Sequence, residues 1–198
     1  MPIGKNCVIL ASGNGSNALN LIDKFCFGRK TDLNVNMAAV VSNIADAPVL
    51  EKVRKKAPDI PVFVIPFSVS HERDNFENKL TEIINRYKID YIILAGFMKV
   101  LSKEFVSKFP RRIINIHPSL LPAFKGKDAI AKAFEYGVKY TGVTVHYVTP
   151  EVDSGPVILQ EAVKIEESDT VESLEAKIHR VEHKIYPEAL EAAIKGQP

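Results

Sequence analysis

The chain has 198 residues, is 46% hydrophobic, and carries a net charge of +2 with both signs scattered along it. This composition predicts one domain with a sizeable core, and it argues against a nucleic-acid surface built on a basic stripe. No apolar run approaches the ~20 residues that span a bilayer, and no signal-peptide segment precedes the first predicted strand. Cys7 and Cys26 lack C-x-x-C spacing, so we expect buried thiols in a soluble, cytoplasmic protein.

Short β-branched runs alternate with longer helical periods along the chain. Strands are predicted at Cys7–Ala11, Met37–Ser42, Val62–Ile65, Tyr91–Ala95, Ile113–Ile116, Thr141–Val148 and Val157–Val163. Helices are predicted at Ala18–Phe27, Ala47–Lys56, Glu72–Tyr87, Lys103–Lys108 and Asp128–Tyr136, with a last helix from about Thr170 to Ala193. Fully apolar strands such as Tyr91–Ala95 predict burial on both faces. The fold class is therefore α/β, with a mostly parallel, twisted sheet flanked by helices.

Two details of this pattern give further predictions. Asp169 and Glu172 have the spacing of a capping box at the start of the last helix. In the run Thr141–Val148, Thr144 and His146 alternate with apolar residues, which is typical of a half-exposed strand near a sheet edge. We therefore expect His146 to lie on the solvent or cleft side of that strand.

An amide and an imidazole two residues apart end the fifth predicted strand. Asn115 and His117 share one face because side chains alternate along a strand. Pro118 and Pro122 then oppose continuation of either strand or helix. The pair is thus predicted at the C-terminal end of a strand, where open α/β sheets bind their ligands.

A glycine-rich turn, Ser12-Gly13-Asn14-Gly15-Ser16-Asn17, follows the first strand and opens a helix. Glycines let backbone amides approach an anion closely, and Ser16 and Asn17 can add donors. The turn lacks the Lys-Ser/Thr pair of a Walker loop. Asn43 stands where a dinucleotide site would have an acidic residue for the ribose. A monophosphate site is therefore favoured over a dinucleotide site, and tight strand-to-helix geometry is the plainer alternative.

Two acidic segments have both a functional and a structural interpretation. Asp153 can cap a turn before Ser154-Gly155, or it can pair with His117 and favour the imidazolium form. His179, Glu182 and His183 spell the H-x-x-E-H pattern of one class of zinc peptidases. No segment supplies an evident third zinc ligand, so a solvated or cleft-lining helix face is favoured and a zinc hydrolase remains a remote alternative.

Six motifs in one order resemble the glycinamide ribonucleotide formyltransferase family, the folate-dependent enzymes of purine synthesis, from Val8 to about Tyr186. The motifs are Ser12–Asn17, Ser42–Ala47, Ala95–Leu101, Asn115–Pro122, Asp153–Pro156 and Glu182–Pro187. The related methionyl-tRNA formyltransferase and formyltetrahydrofolate deformylase share the Asn/His/Asp set. The retained Gly-Asn-Gly-Ser-Asn loop favours the ribonucleotide enzyme, and other formyltransferases or a deformylase stay as the alternative. Ser154 departs from the glycine of many members, and Pro150 precedes Glu151.

The resemblance implies one formyltransferase domain, 1–198, with a Rossmann-like nucleotide-binding half to about residue 100 and a folate-binding and catalytic half beyond it. It implies transfer of a formyl group from 10-formyltetrahydrofolate to the glycyl amine of glycinamide ribonucleotide, without metal, nucleic acid or membrane, by a monomer or homodimer. The implied catalytic residues are Asn115, His117 and Asp153, and the implied ribonucleotide contacts are Gly15, Ser16, Asn17 and Glu182. The implied folate contacts are Arg73, Met98, Lys99, Val100, Leu101, Asn115, Val148, Thr149, Pro150, Glu151, Val152 and Asp153.

Overall fold

A computed structural model of the protein describes residues 3–28 and 33–196. The chain divides into two compact units, residues 1–114 and 115–198. The predicted division near residue 100 falls earlier, in the segment after the fourth strand. Within the described ranges, no helix is both long enough and apolar enough to cross a membrane.

The first unit is built from alternating strands and helices. Its strands are β1 (Ile3–Leu10), β2 (Leu33–Ser42), β3 (Val62–Val64) and β4 (Tyr91–Leu94). Its helices are α1 (Ser16–Ile22), α2 (Pro48–Lys56), α3 (Arg73–Arg86) and α4 (Lys103–Ser107). One π-helical turn, Asp23–Phe27, follows α1, and a short 3₁₀ segment, Ser70–Glu72, precedes α3. The strands pair in parallel in the order β3-β2-β1-β4.

Apolar spacing explains these elements. Phe76, Leu80 and Ile84 are buried along α3 at intervals of four residues, which forms one helical stripe. Val8, Ile9 and Leu10 of β1 are all fully buried, as expected for a strand that is covered on both faces.

The strands β1 and β2 begin earlier than the apolar pattern predicts. Asp90 accepts hydrogen bonds from Lys5 Nζ at 3.0 Å and from the Asn6 amide at 2.8 Å. These partners let polar residues continue β1 beyond its apolar run.

The second unit holds the remaining elements. They are β5 (Ile113–His117), which begins in the first unit, α5 (Ala129–Tyr136), β6 (Tyr140–Tyr147), β7 (Val157–Lys164) and α6 (Val171–Ile194). The strands β6 and β7 are antiparallel, and α6 packs on both of them. The seven strands form one mostly parallel sheet in the order β3-β2-β1-β4-β5-β6-β7. The predicted α/β class and all seven predicted strands are confirmed.

Three predictions about local features are wrong. The half-exposed strand is buried from Thr141 to Tyr147, because the side chains of Thr144 and His146 form hydrogen bonds inside the protein. Cys26 is exposed, since it lies in the π-helical turn rather than on the buried face of a helix; only Cys7 is a buried thiol. The last helix is capped by Thr170 with Ser173, because the extended backbone of Thr170 lets its hydroxyl accept from the Ser173 amide at 3.2 Å.

Candidate active site

The glycine-rich segment 12–17 follows β1 and is tied to its neighbours in the first unit. The Ser12 hydroxyl donates to Asn43 Oδ1 at 2.6 Å and accepts from the Met98 amide at 2.9 Å. The Asn43 amide in turn donates to the Phe67 carbonyl at 3.2 Å. Asn43, which stands where a dinucleotide site would place an acid, thus uses its side chain within the protein.

The backbone at Gly15 leaves no room for a side chain. Its φ of +76° lies in the left-handed region. A Cβ built there would lie 2.2 Å from Val49 Cγ2 and 2.5 Å from Val49 Cβ. Gly15 therefore satisfies both a conformational and a packing requirement at the start of α1. Ser16 begins the helix, and Asn17 beside it is 8% exposed.

A second segment of the first unit, Met98–Leu101, carries four of the predicted folate residues. Met98 and Val100 are exposed, whereas Leu101 is buried. The Lys99 ammonium lies 5.5 Å from the Phe67 ring centroid and donates to the Ser68 carbonyl at 2.7 Å. The Arg73 guanidinium lies 5.9 Å from the same ring. The segment thus presents apolar side chains beside two cations gathered around one aromatic ring.

In the second unit, β5 ends on the predicted Asn115 and His117 pair. His117 is 5% exposed, and Asn115 is half-buried. The His117 Nε2–H donates to the Phe124 carbonyl at 2.9 Å, because a carbonyl can only accept. The Nδ1 atom of His117 lies 3.4 Å from Asp153 Oδ2. Both ring nitrogens therefore face acceptor oxygens, an arrangement that the protonated imidazolium satisfies fully.

Asp153 is held by several groups of the same unit. Its Oδ2 accepts from the Gly126 amide at 2.8 Å, and its Oδ1 lies 3.7 Å from His146 Nε2. Burial acts to raise the Asp153 pKa, but contact with His146, the Gly126 hydrogen bond and the His117 charge outweigh burial and lower that pKa to about 2. The side chain is therefore a carboxylate at neutral pH. Its φ of 48° is one that Asp tolerates in turns.

His146 is the site residue that sequence reasoning missed. It is 1% exposed, so the solvent side is excluded of the two expected positions, solvent side or cleft side. Its Nδ1–H donates to the Tyr147 carbonyl at 2.9 Å, and its Nε2 lies 3.2 Å from Asn115 Nδ2. This contact places the His146 ring against the Asn115 side chain, so His146 orients Asn115. The available signal was the shared face of Thr144 and His146 on β6.

The remaining predicted residues lie along the loop after β6 and on α6. Val148–Val152 form the loop that leads to Asp153, with Val152 and Glu151 exposed. On α6, Glu182 is 5% exposed and its Oε2 accepts from His179 Nδ1 at 2.9 Å. This hydrogen bond raises the His179 pKa against the opposing effect of burial. Among the described residues, no group of three or more His, Cys, Asp or Glu side chains is placed to hold a metal ion.

An oriented amide and an imidazole held against a carboxylate are the groups that acyl transfer needs. The amide can donate to a carbonyl oxygen that gains negative charge, and the imidazolium can donate to it or relay a proton. The second unit thus has the chemistry of an acyl-group transferase.

Comparison with known proteins specifies this class. Residues 5–190 match the family described as Formyl transferase. The chain is 38% identical to the phosphoribosylglycinamide formyltransferase of Bacillus subtilis (strain 168), over 94% of this chain and 93% of that protein. It is 41% identical to the trifunctional purine biosynthetic protein adenosine-3 of Bos taurus over 95% of its own length, but it spans only 18% of that longer protein. The crystal structure of glycinamide ribonucleotide transformylase 1 from Symbiobacterium toebii is similar with a TM-score of 0.88 and 41% identity, covering 97% of this chain and 88% of that one. The chain belongs to the formyl transferase family.

Proposed function

We propose that this protein transfers a formyl group from 10-formyltetrahydrofolate to the glycyl amine of glycinamide ribonucleotide, a step of purine synthesis. The observation that carries the proposal is the set of Asn115, His117 and Asp153, in which His117 Nδ1 lies 3.4 Å from Asp153 Oδ2 and Asn115 is linked to the same carboxylate through His146. The match to phosphoribosylglycinamide formyltransferases along nearly the whole chain supports it.

The reaction needs one new C–N bond and the loss of another. The glycyl nitrogen attacks the formyl carbon, and the bond from that carbon to the folate nitrogen then breaks. One proton leaves the attacking nitrogen and one reaches the departing nitrogen. The formyl oxygen is negative between these events, so hydrogen-bond donors lower the barrier.

Asn115 and His117 are proposed as those donors. An amide nitrogen carries two N–H groups, so Asn115 can hold His146 with one and offer the other to the oxyanion. One such donor lowers the barrier by roughly 3–4 kcal/mol in a well-studied hydrolase. His117 would donate by turning its Nε2–H from the Phe124 carbonyl to the formyl oxygen, while its contact with Asp153 keeps the ring oriented. The proton is proposed to pass between the two nitrogens through water.

The two substrates are proposed to bind to different sets of residues. Gly15, Ser16 and Asn17 would hold the substrate phosphate through backbone and side-chain donors, while Glu182 would accept from the ribose. Met98, Val100 and Leu101 would contact the folate rings, and the cations Arg73 and Lys99 would suit a folate carboxylate. The loop Val148–Val152 would contribute further folate contacts.

The proposal is tested by incubating the purified chain with both substrates. Tetrahydrofolate and formylated ribonucleotide should form in equal amounts, and His117→Ala should abolish both products. A deformylase would instead release tetrahydrofolate and formate without the ribonucleotide, which would overturn the proposal. A zinc hydrolase would lose activity to a chelator and regain it with zinc, whereas we expect no effect of either. We also propose a cytoplasmic location and no nucleic-acid partner, and sedimentation of the purified chain would distinguish monomer from homodimer.

A further inference from the structure

The segment 118–126, called here the bracket loop, carries two backbone contacts to the site. The Phe124 carbonyl accepts from His117 Nε2–H at 2.9 Å, and the Gly126 amide donates to Asp153 Oδ2 at 2.8 Å. Phe124 and Gly126 have φ values of 50° and 80°, so both contacts depend on one particular path of the backbone. Whatever holds the bracket loop therefore also holds the His117–Asp153 pair.

A polar network fastens the start of this loop to the second unit's antiparallel strands. The Thr144 hydroxyl donates to the Ser119 carbonyl at 2.7 Å and accepts from the Leu121 amide at 3.1 Å. Gln160 Nε2 donates to the Thr144 hydroxyl at 2.8 Å and to the Leu121 carbonyl at 2.9 Å. The hydroxyl thus uses its one donor and both acceptor positions, and the amide nitrogen uses both of its N–H groups.

Sheet register brings these side chains together. Thr144 of β6 and Gln160 of β7 are directly paired in the antiparallel ladder, so their side chains lie on one face of the sheet. Packing also places the bracket loop against β6. A Cβ added at Gly142 would lie 2.6 Å from Leu120 Cδ2, so the bracket loop rests directly on β6 at this glycine.

Gln160 differs from Thr144 in one respect that matters for function. Thr144 is fully buried, whereas Gln160 is an exposed residue whose amide alone reaches back to the loop. Because Gln160 is exposed, its side-chain amide is not needed for packing in the core. Its two hydrogen bonds to the loop network are therefore its distinctive contribution.

We propose that Gln160 is a positioning residue for formyl transfer. It acts through Leu121 and Thr144 on the bracket loop, and through the loop's backbone on His117 and Asp153. This inference rests on the function proposed above, since it concerns the same site. Because catalysis is sensitive to small displacements of reacting groups, loss of these bonds should slow the chemical step more than it weakens substrate binding.

The test compares Gln160→Met with Lys164→Met. Both positions lie on the same face of β7, four residues apart, and Lys164 forms a salt bridge with the surface residue Glu166 at 3.0 Å. Gln160→Met keeps the length of the side chain but removes both donors. We expect kcat to fall roughly 10- to 100-fold with little change in either KM, while Lys164→Met stays near wild type.

A second measurement reports the site itself. In protein with ¹⁵N-labelled histidine, the His117 Nε2 proton should be observed by NMR because its bond to Phe124 slows exchange with water. In Gln160→Met this signal should broaden or exchange faster, and in Lys164→Met it should not. Gln160→Glu, which cannot donate to Leu121, should behave like Gln160→Met and serves if the first variant folds poorly.

The outcomes separate this inference from the proposed function. Folded Gln160 variants with wild-type kcat and an unchanged His117 signal would overturn the positioning role. Absence of formyl transfer in the wild type would instead overturn the proposed function, while a changed His117 signal in Gln160→Met would still support the positioning role.

Discussion

The glycine-rich segment 12–17 and the bracket loop 118–126 are both loops that follow a strand, but they use the backbone in opposite ways. In the first, the Gly15 backbone packs so closely on Val49 that a Cβ would clash, and side chains such as Ser12 tie the loop down. In the second, main-chain groups at Phe124 and Gly126 bind titratable side chains of the protein itself. The first loop should therefore be sensitive to added volume, and the second to changes in charge or hydrogen bonding.

The largest effect is expected for Asp153→Asn. The substitution keeps the size of the side chain but removes the charge of the carboxylate, whose Oδ2 lies 3.4 Å from His117 Nδ1. Formyl transfer should fall roughly 10²–10⁴-fold, the range of general acid–base assistance, while both KM values stay within a few fold.

A matched control exists at Asp169, whose pKa is likewise lowered to about 2, mainly by its bond with Lys177. Asp169→Asn should leave kcat unchanged, since it lies at the start of α6 and not in the site. For both carboxylates the folded pKa is depressed, so their contribution to stability is present above a pH of about 4 and is lost as the pH falls towards 2. A folded Asp153→Asn protein that keeps the wild-type rate of formyl transfer would leave Asp153 as a loop organiser only.

The next effect tests space in the glycine-rich segment. Gly15→Ala should cost roughly 2–5 kcal/mol of unfolding free energy, from the left-handed backbone and the clash with Val49 together. It should also raise the ribonucleotide KM more than the folate KM. Gly13→Ala is the control, because a Cβ there meets nothing within 4 Å, and its cost should stay below about 1 kcal/mol.

The contact with Val49 can be isolated by a double-mutant cycle. Val49→Ala combined with Gly15→Ala should cost less than the sum of the single changes, because alanine lacks the Cγ2 atom that would lie 2.2 Å from the new Cβ and leaves only the Cβ contact at 2.5 Å. Additive costs measured by chemical denaturation would show that the contact with Val49 Cγ2 is not the cause. A loss of folate affinity with normal ribonucleotide affinity would reverse the assignment of the two binding surfaces.

The smallest effect concerns His179, which is hydrogen-bonded to Glu182, the proposed contact of the ribonucleotide. The pKa of His179 is raised, so the stabilising ion pair between His179 and Glu182 is fully formed at pH values below the ordinary histidine pKa. The pair is lost as the pH rises through the raised pKa of His179. The ribonucleotide KM should therefore rise roughly two- to fivefold across that range, a modest change because His179 is 54% exposed. His179→Gln should abolish this dependence, and the exposed His71→Gln should not. A wild-type profile that is flat in pH would contradict the role of the pair.

Local patterns predicted most elements well. The apolar stripe of α3 and the apolar run of β4 predict the bounds of these elements within a few residues. They do so because helical periodicity and strand burial depend on residues that are close together in the chain. The shared face of Asn115 and His117 was predictable for the same reason. The early starts of β1 and β2 were not, since polar residues there depend on partners such as Asp90, more than 80 residues away for Asn6.

The sequence by itself determined the order of elements, the class of fold and the pair that ends β5, because each depends on residues close together in the chain. Only the tertiary structure decided which polar side chains lie inside. The alternation in β6 resembles a solvent-facing strand, yet Thr144 and His146 are buried, because Gln160 and Asn115, 16 and 31 residues away, satisfy their polar atoms. Burial of a polar group depends on a hydrogen-bond partner, and that partner is chosen by the fold rather than by neighbours in sequence.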